Sequence, residues 1–394
     1  MTSQADLVTQ AALQQFYKLP SKRKPGVRDN GVHEWVPLSG IVAEKDGILT
    51  CLALATGMKC LPASKISQSN GVGIHDWHAE VLAIRTFNRF LLDECENILN
   101  EEDESSILQK KTSASNLNNT PLQLFEIKDG VKLHMYCSEA PCGDASMELT
   151  MASQEDDSSW ETPTPVNAKP GGDAQISLLG RACFSRTGIV RRKPARGDAP
   201  PTLSKSCSDK LALKQCTSLL SAITSIFIDP TNAYISSIIL PRSQYSDLAC
   251  RRAFSAEGRM KLMAGKEWLG GYSFREFSVA TTGLEFEFSK RSVQMRASKI
   301  SASNLAATWS RSGFEENLIG GVIQGRKAFK TDGASGVSSP TAICPGGKTY
   351  RHLKEGQLMA HRRQVKDETR GMALSGWIKN DGGSDFQLEK RSNH

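Results

Sequence analysis

Three short stretches with metal-binding side chains lie far apart in this chain, and its fold must bring them together if they form one site. His78 stands in His-Ala-Glu, Cys142 follows Pro141, and Cys207 lies in Ser-Cys-Ser-Asp-Lys, with spacings of 64 and then 65 residues. One histidine and two cysteines would bind Zn²⁺ through three protein ligands and leave its fourth tetrahedral position open for water. That open position is typical of a catalytic zinc site rather than a structural one.

Glu80 follows His78 by two residues and suits the role of a proton carrier beside such a site. Zinc lowers the pKa of a bound water from about 16 toward roughly 7, so a nucleophile is available at neutral pH. A carboxylate beside that water can carry a proton to a departing amine. These residue types together favour the hydrolytic deamination of a nucleobase, with ammonia as the second product.

The third ligand departs from the spacing of the short deaminase motif, in which a second cysteine follows Pro-Cys by three residues. That position is Ala145 here, so the second cysteine must come from elsewhere in the chain. We predict Cys207, because it precedes an apolar-periodic run and should lie in the first turn of a helix, where a thiolate is favoured. Cys137 lies in an apolar run typical of a buried strand and is predicted to be a core residue. The remaining candidates lie in segments without signs of a helix start: Cys183, Cys216, Cys250 and Cys344.

The C-terminal part of the chain is rich in cations. From residue 326 to 394 there are 13 Lys and Arg but only 7 Asp and Glu, and the cations alternate with aromatic and aliphatic residues. Some of these cations are therefore predicted to point inward. A buried cation without a partner anion costs several kcal/mol, and no acidic run in the sequence supplies such a partner.

Taken in order, the three ligand motifs resemble those of the adenosine deaminases acting on RNA. The set includes Pro-Cys-Gly-Asp-Ala and Ser-Cys-Ser-Asp-Lys, followed by Ser-Ser-Ile-Ile-Leu at 236–240 and by Gly376-Trp377. The segments 55–60 and 192–198 are similar to the eukaryotic branch that acts on transfer RNA. This resemblance covers roughly residues 8 to 389 and implies conversion of adenosine 37 of alanine tRNA to inosine.

The resemblance also implies a role for individual residues. It implies that one catalytic zinc is bound by His78, Cys142 and Cys207, and that Glu80 shuttles the proton. The superfamily holds a buried inositol hexakisphosphate, whose basic cage corresponds here to Arg85, Lys210, Tyr350, Lys354, Trp377 and either Arg326 or Lys327. Contacts with the RNA substrate are expected at Lys59, Arg191, Arg192, Lys193 and Arg196. A solvated basic face is the alternative interpretation of the run from 191 to 196.

Alternating strand and helix patterns favour a cytidine-deaminase-like three-layer α/β/α sandwich with a mixed central sheet. We expect one domain over residues 1–394, with a core at about 35–240 and a C-terminal extension at about 241–394. The polar stretches 100–121 and 152–172 are predicted to be flexible insertions. Strands are predicted at 40–43, 49–55, 132–137, 225–228 and 233–240. Helices are predicted at 7–19, 76–95, 144–151, 209–220, 246–262 and 356–370.

The composition indicates which class of partner the protein binds and in which cellular compartment it lies. A net charge of +7 suits an RNA partner, for which we expect the anticodon arm of alanine tRNA and no obligate protein partner. No signal peptide or membrane-spanning apolar run is visible, and ten scattered cysteines show no disulfide spacing, so we expect an intracellular protein of the cytoplasm or nucleus. Two alternatives stay open, a free-nucleoside deaminase and a noncatalytic RNA-binding protein with a structural zinc. Glu80 argues against the second, because structural zinc sites need no carboxylate beside an open position.

Overall fold

The computed structural model describes the residues 2–69, 73–100, 105–111, 123–152, 178–180, 186–194, 199–319, 322–323, 349–380 and 383–386. Its α-helices are α1 (Gln4–Tyr17), α2 (Ala79–Leu99), α3 (Met147–Ala152), α4 (Cys207–Thr217), α5 (Thr224–Phe227), α6 (Asp247–Phe254), α7 (Lys290–Gln294), α8 (Tyr350–Glu355) and α9 (Ala360–Met372). Its strands are β1 (His33–Trp35), β2 (Leu38–Lys45), β3 (Ile48–Thr56), β4 (Met58–Cys60), β5 (Asp76–His78), β6 (Leu108–Lys110), β7 (Phe125–Ile127), β8 (Lys132–Cys137), β9 (Leu178–Leu179), β10 (Arg191–Arg192), β11 (Ile235–Pro241), β12 (Glu267–Trp268), β13 (Tyr272–Ser273), β14 (Ser278–Thr282), β15 (Ile300–Ala302), β16 (Leu305–Ser310), β17 (Glu315–Ile319) and β18 (Val322–Ile323).

The central sheet has the strand order β14-β11-β8-β2-β3-β16-β17-β18. Strands β8, β11 and β14 run parallel to one another, whereas the pairs from β8 through β2 and β3 to β18 are antiparallel, so the sheet is mixed. Strands β14 and β16 to β18 come from the C-terminal extension. The extension therefore completes the sheet that the core begins.

Helices cover both faces of this sheet. Phe87 of α2 packs in one apolar core with Ile41, whereas Phe16 of α1 packs in another core with Val42. Ile41 and Val42 are neighbours in β2, and side chains of a strand alternate between the two faces. The predicted three-layer α/β/α sandwich with a mixed sheet is confirmed.

One predicted strand is wrong. A strand is predicted at 225–228, but 224–227 form the short helix α5. The Ser221 hydroxyl accepts a hydrogen bond from the Thr224 backbone N–H at 3.2 Å and so starts a helical turn. Ile226 then packs beneath α8 rather than in the sheet. Tertiary packing overrides local propensity here.

One of the two predicted flexible insertions contains a strand. Within 100–121, the strand β6 pairs with β7, and Ile107 and Leu108 are buried. Two adjacent apolar side chains reach the core under α2, although the surrounding composition is polar. Residues 101–104 and 112–121 of that stretch, and 153–172 of the second one, lie outside the described residues. Among the helices that the structure describes, none is both long and apolar enough to cross a bilayer.

Candidate active site

Three separate elements bring the predicted ligands together. His78 ends β5 and is the N-cap of α2, Cys142 lies in the turn between β8 and α3, and Cys207 is the first residue of α4. His78 Nδ1 lies 3.8 Å from Cys142 Sγ and 3.6 Å from Cys207 Sγ. Cys207 is buried, whereas His78 and Cys142 are half-buried. The helix predicted from Asp76 begins instead at Ala79, because Asp76–His78 pair with β4.

These distances suit zinc. Bonds of about 2.3 Å to sulfur and about 2.05 Å to nitrogen place the two atoms about 3.6 Å apart in a tetrahedral site. One imidazole and two thiols are also donors that zinc prefers. A second possible metal group, Cys60, Asp76 and His78, shares the histidine. Its carboxylate is already engaged by two lysines, so we consider the group with two thiols the better site.

The two cysteine turns interlock through the backbone. Cys207 N–H donates to Cys142 Sγ at 3.3 Å, and Ser208 N–H donates to the Cys142 carbonyl at 3.0 Å. Gly143 has a φ of 102°, and a Cβ there would lie 2.2 Å from Ser206 Oγ. Only glycine satisfies both the conformation and the close approach. The Gly of Pro-Cys-Gly is therefore required for the second cysteine turn to reach the first.

Glu80 lies in the first turn of α2, and only 7% of its surface is exposed. Burial raises the pKa of its carboxyl above the ordinary value, because desolvation disfavours the charged form. His78, one of the proposed ligands, is the N-cap of the same helix, so both side chains belong to one helix start. This location suits a group that accepts and donates protons.

Lys193 is the buried countercharge of the thiols. Its ammonium donates to Cys207 Sγ at 3.2 Å and to the two carboxylate oxygens of Asp76 at 3.0 and 2.8 Å. Asp76 also accepts from Ser204 Oγ at 2.5 Å and from the Lys210 ammonium. Burial opposes its ionisation, but Lys193 and Lys210 hold the pKa of Asp76 well below the usual range. Sequence reasoning missed Asp76, although an acid two residues before a metal-ligating histidine is a usable signal.

The basic run expected to contact RNA is buried, which corrects that prediction. Arg191, Arg192 and Lys193 are exposed by only 1%, 7% and 3%. Arg191 donates to the carbonyls of Gly180 and Arg186 at 3.0 and 2.6 Å. A phosphate contact needs an accessible cation, whereas these three lie inside the protein beside the cysteine turns.

The two other expected substrate contacts are Lys59, which the structure describes, and Arg196, which it does not. Lys59 lies in β4, opposite Trp77 of β5, and its ammonium donates to Asn304 Oδ1. This position next to the strand that carries His78 keeps Lys59 as a predicted RNA contact. Arg196 lies outside the described residues and stays a prediction.

A basic cavity of about 400 Å³ lies between α4, α8, α9 and the segment after Trp377. Two acids line it, Glu355 and Asp367, against eight cations: Lys205, Lys210, Lys354, Arg362, Arg363, Lys366, Arg370 and Lys379. Burial and then the neighbouring charges of Arg362 and Arg370 lower the pKa of Lys366 to about 7. The Nε atoms of Arg362 and Arg370 are buried without a hydrogen-bond partner among the described residues. Such a cavity has excess positive charge that the described protein does not balance.

Most of the predicted cage residues line this cavity: Lys210, Tyr350, Lys354 and Trp377. The Lys354 ammonium lies 4.7 Å from the centroid of the Tyr350 ring. Arg85 is exposed and is not part of the wall. Burial, and then the charges of Lys210 and Arg85, lower the pKa of His75, which does line the cavity. Arg326 and Lys327 lie outside the described residues.

Sequence reasoning missed several further cations of the cavity. Arg362, Lys366 and Arg370 recur every four residues along α9 and so form a basic stripe on one helix face. That period is visible in the sequence and could have identified them. Lys205 had no comparable signal, because its position depends on contacts with Trp377 and Asn380 far along the chain.

A pair of thiols and an imidazole held together on an α/β/α sandwich could hold a metal ion and is the ligand set of a zinc deaminase. The model of the adenosine-deaminase (editase) domain matches residues 53–365, a range that contains the proposed ligands and Glu80. The chain therefore belongs to the adenosine-deaminase (editase) domain family.

Individual relatives support this assignment. The tRNA-specific adenosine deaminase 1 of Schizosaccharomyces pombe is 34% identical over 401 residues, which cover 97% of this chain and 96% of that protein. The Saccharomyces cerevisiae protein of the same name is 34% identical over 240 residues, 59% of this chain and 58% of its own length. The double-stranded RNA-specific editase Adar of Drosophila melanogaster is 26% identical over 52% of this chain and 30% of its own length. Similarity to the first relative thus extends through the region that forms the basic cavity.

Proposed function

We propose that this protein is a zinc-dependent hydrolase that converts adenosine to inosine in tRNA, with position 37 of alanine tRNA as the substrate. The observation that carries the proposal is the cluster of His78, Cys142 and Cys207 beside the buried Glu80. Similarity to the S. pombe tRNA-specific deaminase over nearly the full length of both chains supports tRNA as the substrate class. We further propose one domain over residues 1–394 and an intracellular location, in keeping with the free thiols of the described cysteines.

The reaction divides between the metal and the side chains. The two thiolates and the imidazole would hold zinc, which would act as the Lewis acid that makes a water molecule nucleophilic at neutral pH. Glu80 would accept one proton from the attacking water and deliver it to N1 of the adenine. It would then accept the proton of the hydroxyl group added to C6 and deliver it to the departing amine as the C6–N bond breaks. Lys193, at 3.2 Å from Cys207 Sγ, offsets the negative charge of the thiolates. Ammonia leaves and inosine remains.

The substrate must present an adenine that can enter the site. A base next to an anticodon is already unpaired, so turning it out costs less than in a duplex. Lys59, beside the strand that ends in His78, is the proposed contact with the tRNA backbone. Arg196 is a second proposed contact.

A comparison of three substrates tests the assignment. Zinc-loaded protein should form inosine in an alanine tRNA transcript, but not in the same transcript with guanosine at position 37 and not from free adenosine. Mass spectrometry of the nucleosides after digestion provides the measurement. Rapid deamination of free adenosine would instead support the nucleoside deaminase, and no inosine from any substrate would support a noncatalytic protein.

We also propose that inositol hexakisphosphate fills the basic cavity. The eight cations of the cavity wall outnumber its two acids, and a buried polyanion would balance this surplus of positive charge. Its phosphate oxygens would also accept hydrogen bonds from the two unpaired guanidinium Nε atoms. Asp76 joins Lys210 of the cavity to Lys193 at the metal site, so loss of the polyanion should also weaken zinc retention. Denaturing purified protein from a eukaryotic host should release one inositol hexakisphosphate per chain, as measured by mass spectrometry.

Lys354→Ala tests the same cavity by its effect on stability. In the loaded protein we expect the free energy of unfolding to fall by roughly 1.5–3 kcal/mol, since a charge-assisted hydrogen bond to phosphate is lost. In protein refolded without polyanion the same change should be neutral or stabilising, because burial and nearby cations disfavour the charged lysine. Lys261→Ala serves as a control, because Lys261 is exposed. It should leave the free energy of unfolding unchanged with and without the polyanion. Equal destabilisation with and without inositol hexakisphosphate would contradict this proposal.

A further inference from the structure

We propose that Arg252 and Arg259, two arginines of the C-terminal extension, form a clamp that positions both cysteine ligands. Each cysteine is followed two residues later by an aspartate, Asp144 after Cys142 and Asp209 after Cys207. Both aspartates are fully buried, with 0% of their surface exposed. Each carboxylate is bound by one of the two arginines. The inference rests on the proposed zinc site and adds residues to it that no motif contains.

Arg252 holds the first cysteine turn. Its Nε lies 3.1 and 3.2 Å from the two carboxylate oxygens of Asp144, and its Nη2 donates to the Asp144 carbonyl at 2.9 Å. The same guanidinium binds Glu148 at the start of α3. The Gly188 N–H donates to Asp144 Oδ1 at 2.7 Å. The turn that carries Cys142 is thus held both through the side chain of Asp144 and through the Asp144 backbone carbonyl.

Arg259 holds the second cysteine turn. Its Nη1 donates to Asp209 Oδ1 at 2.6 Å, and 4% of its side chain is exposed. Asp209 Oδ2 accepts from Ser206 Oγ at 2.6 Å and from Arg191 N–H at 2.9 Å. Since Ser206 is also the N-cap of α4, the arginine fixes the helix start that presents Cys207.

The two arginines are fixed to each other by the end of α6. The helix predicted to continue to residue 262 ends at Phe254, and Arg259 N–H donates to the Arg252 carbonyl at 3.0 Å. Gly258 permits this return, because a Cβ there would lie 2.4 Å from the Arg252 carbonyl oxygen and 2.5 Å from that of Arg251. A rigid connection of this kind sets the separation of the two aspartates. It thereby sets the separation of the two thiols.

Loss of the clamp should weaken metal binding and should not only lower the stability of the fold. Partners that orient metal ligands typically change metal affinity by roughly 10- to 100-fold when they are lost. Lysine keeps the charge but cannot reproduce the fork of hydrogen bonds that arginine makes. We therefore expect a graded series in metal retention, with wild type above Arg259→Lys and Arg259→Lys above Arg259→Met. The same order is expected for Arg252.

The experiment measures zinc transfer to a chromophoric chelator and the absorption spectrum of the cobalt-substituted protein, both well below the melting temperature. Zinc release should be roughly 10- to 100-fold faster for Arg252→Met and Arg259→Met, and the cobalt bands should shift. Arg251→Met is the matched control, because Arg251 adjoins Arg252 but its side chain is 58% exposed, and it should match wild type.

Folded variants with wild-type release rates and cobalt spectra would overturn the clamp. If the methionine variants do not fold, the two lysine variants decide by the same readouts. Failure of the proposed zinc site gives a different result, because wild-type protein would then show no thiolate-to-cobalt absorption at all.

Discussion

Glu80→Ala is expected to lower the rate of tRNA deamination by a factor on the order of 10³ or more while leaving zinc content and tRNA affinity unchanged. Glu80 is buried beside the proposed ligands but is assigned to proton transfer and not to metal binding. Without it, the site loses the group assigned to take up the two protons of the water and to deliver one to N1 and one to the amine. Single-turnover kinetics with saturating protein would isolate this loss from any change in binding.

Two further variants sharpen this result. Glu80→Gln keeps the shape of the side chain but cannot carry a proton, so it should be as inactive as Glu80→Ala. Glu96→Gln changes an exposed carboxyl on the same helix and should retain the wild-type rate. If Glu80→Gln kept more than about a tenth of that rate, another group would have to move the proton.

Removing either thiol should abolish stoichiometric zinc binding. In Cys142→Ala or Cys207→Ala only two protein ligands remain, too few for a tight zinc site. Cys137→Ala is the control, because Cys137 lies in β8, is 1% exposed and packs in the apolar core. Metal analysis of the purified variants should find one zinc per chain in Cys137→Ala and well below one in the other two. Full zinc in Cys207→Ala would remove it from the ligand set.

Much of the fold and of the metal site could be predicted from the sequence, because local patterns determine them. The apolar run at 132–137 became the strand β8 with the predicted bounds, and the helix start at Cys207 was visible from its serine cap and the apolar run that follows. The metal-ligating residue types needed only chemistry to be recognised. The tertiary fold then brings the His78 imidazole within 3.6 to 3.8 Å of the two thiols.

Other features depend on contacts between distant residues and could not be predicted in this way. Lys193 was expected on the surface because it lies in a basic run, but its carboxylate partner Asp76 lies 117 residues away. The strand β5 replaces the predicted first turn of α2 because β4 pairs with it. Arg259 reaches Asp209 only because the chain turns back at Gly258. The roles of these residues depend on contacts that exist only in the tertiary fold, so the sequence alone does not reveal them.

The most direct test of the central claim is to sequence the inosines in total tRNA after incubation with the pure, zinc-loaded protein. We expect new inosine at position 37 of alanine tRNA, absent when Glu80→Ala protein or metal-stripped protein is used. Inosine at other positions or in other tRNAs would contradict the proposed substrate. No new inosine from protein that carries one zinc per chain would contradict the assignment as a tRNA deaminase.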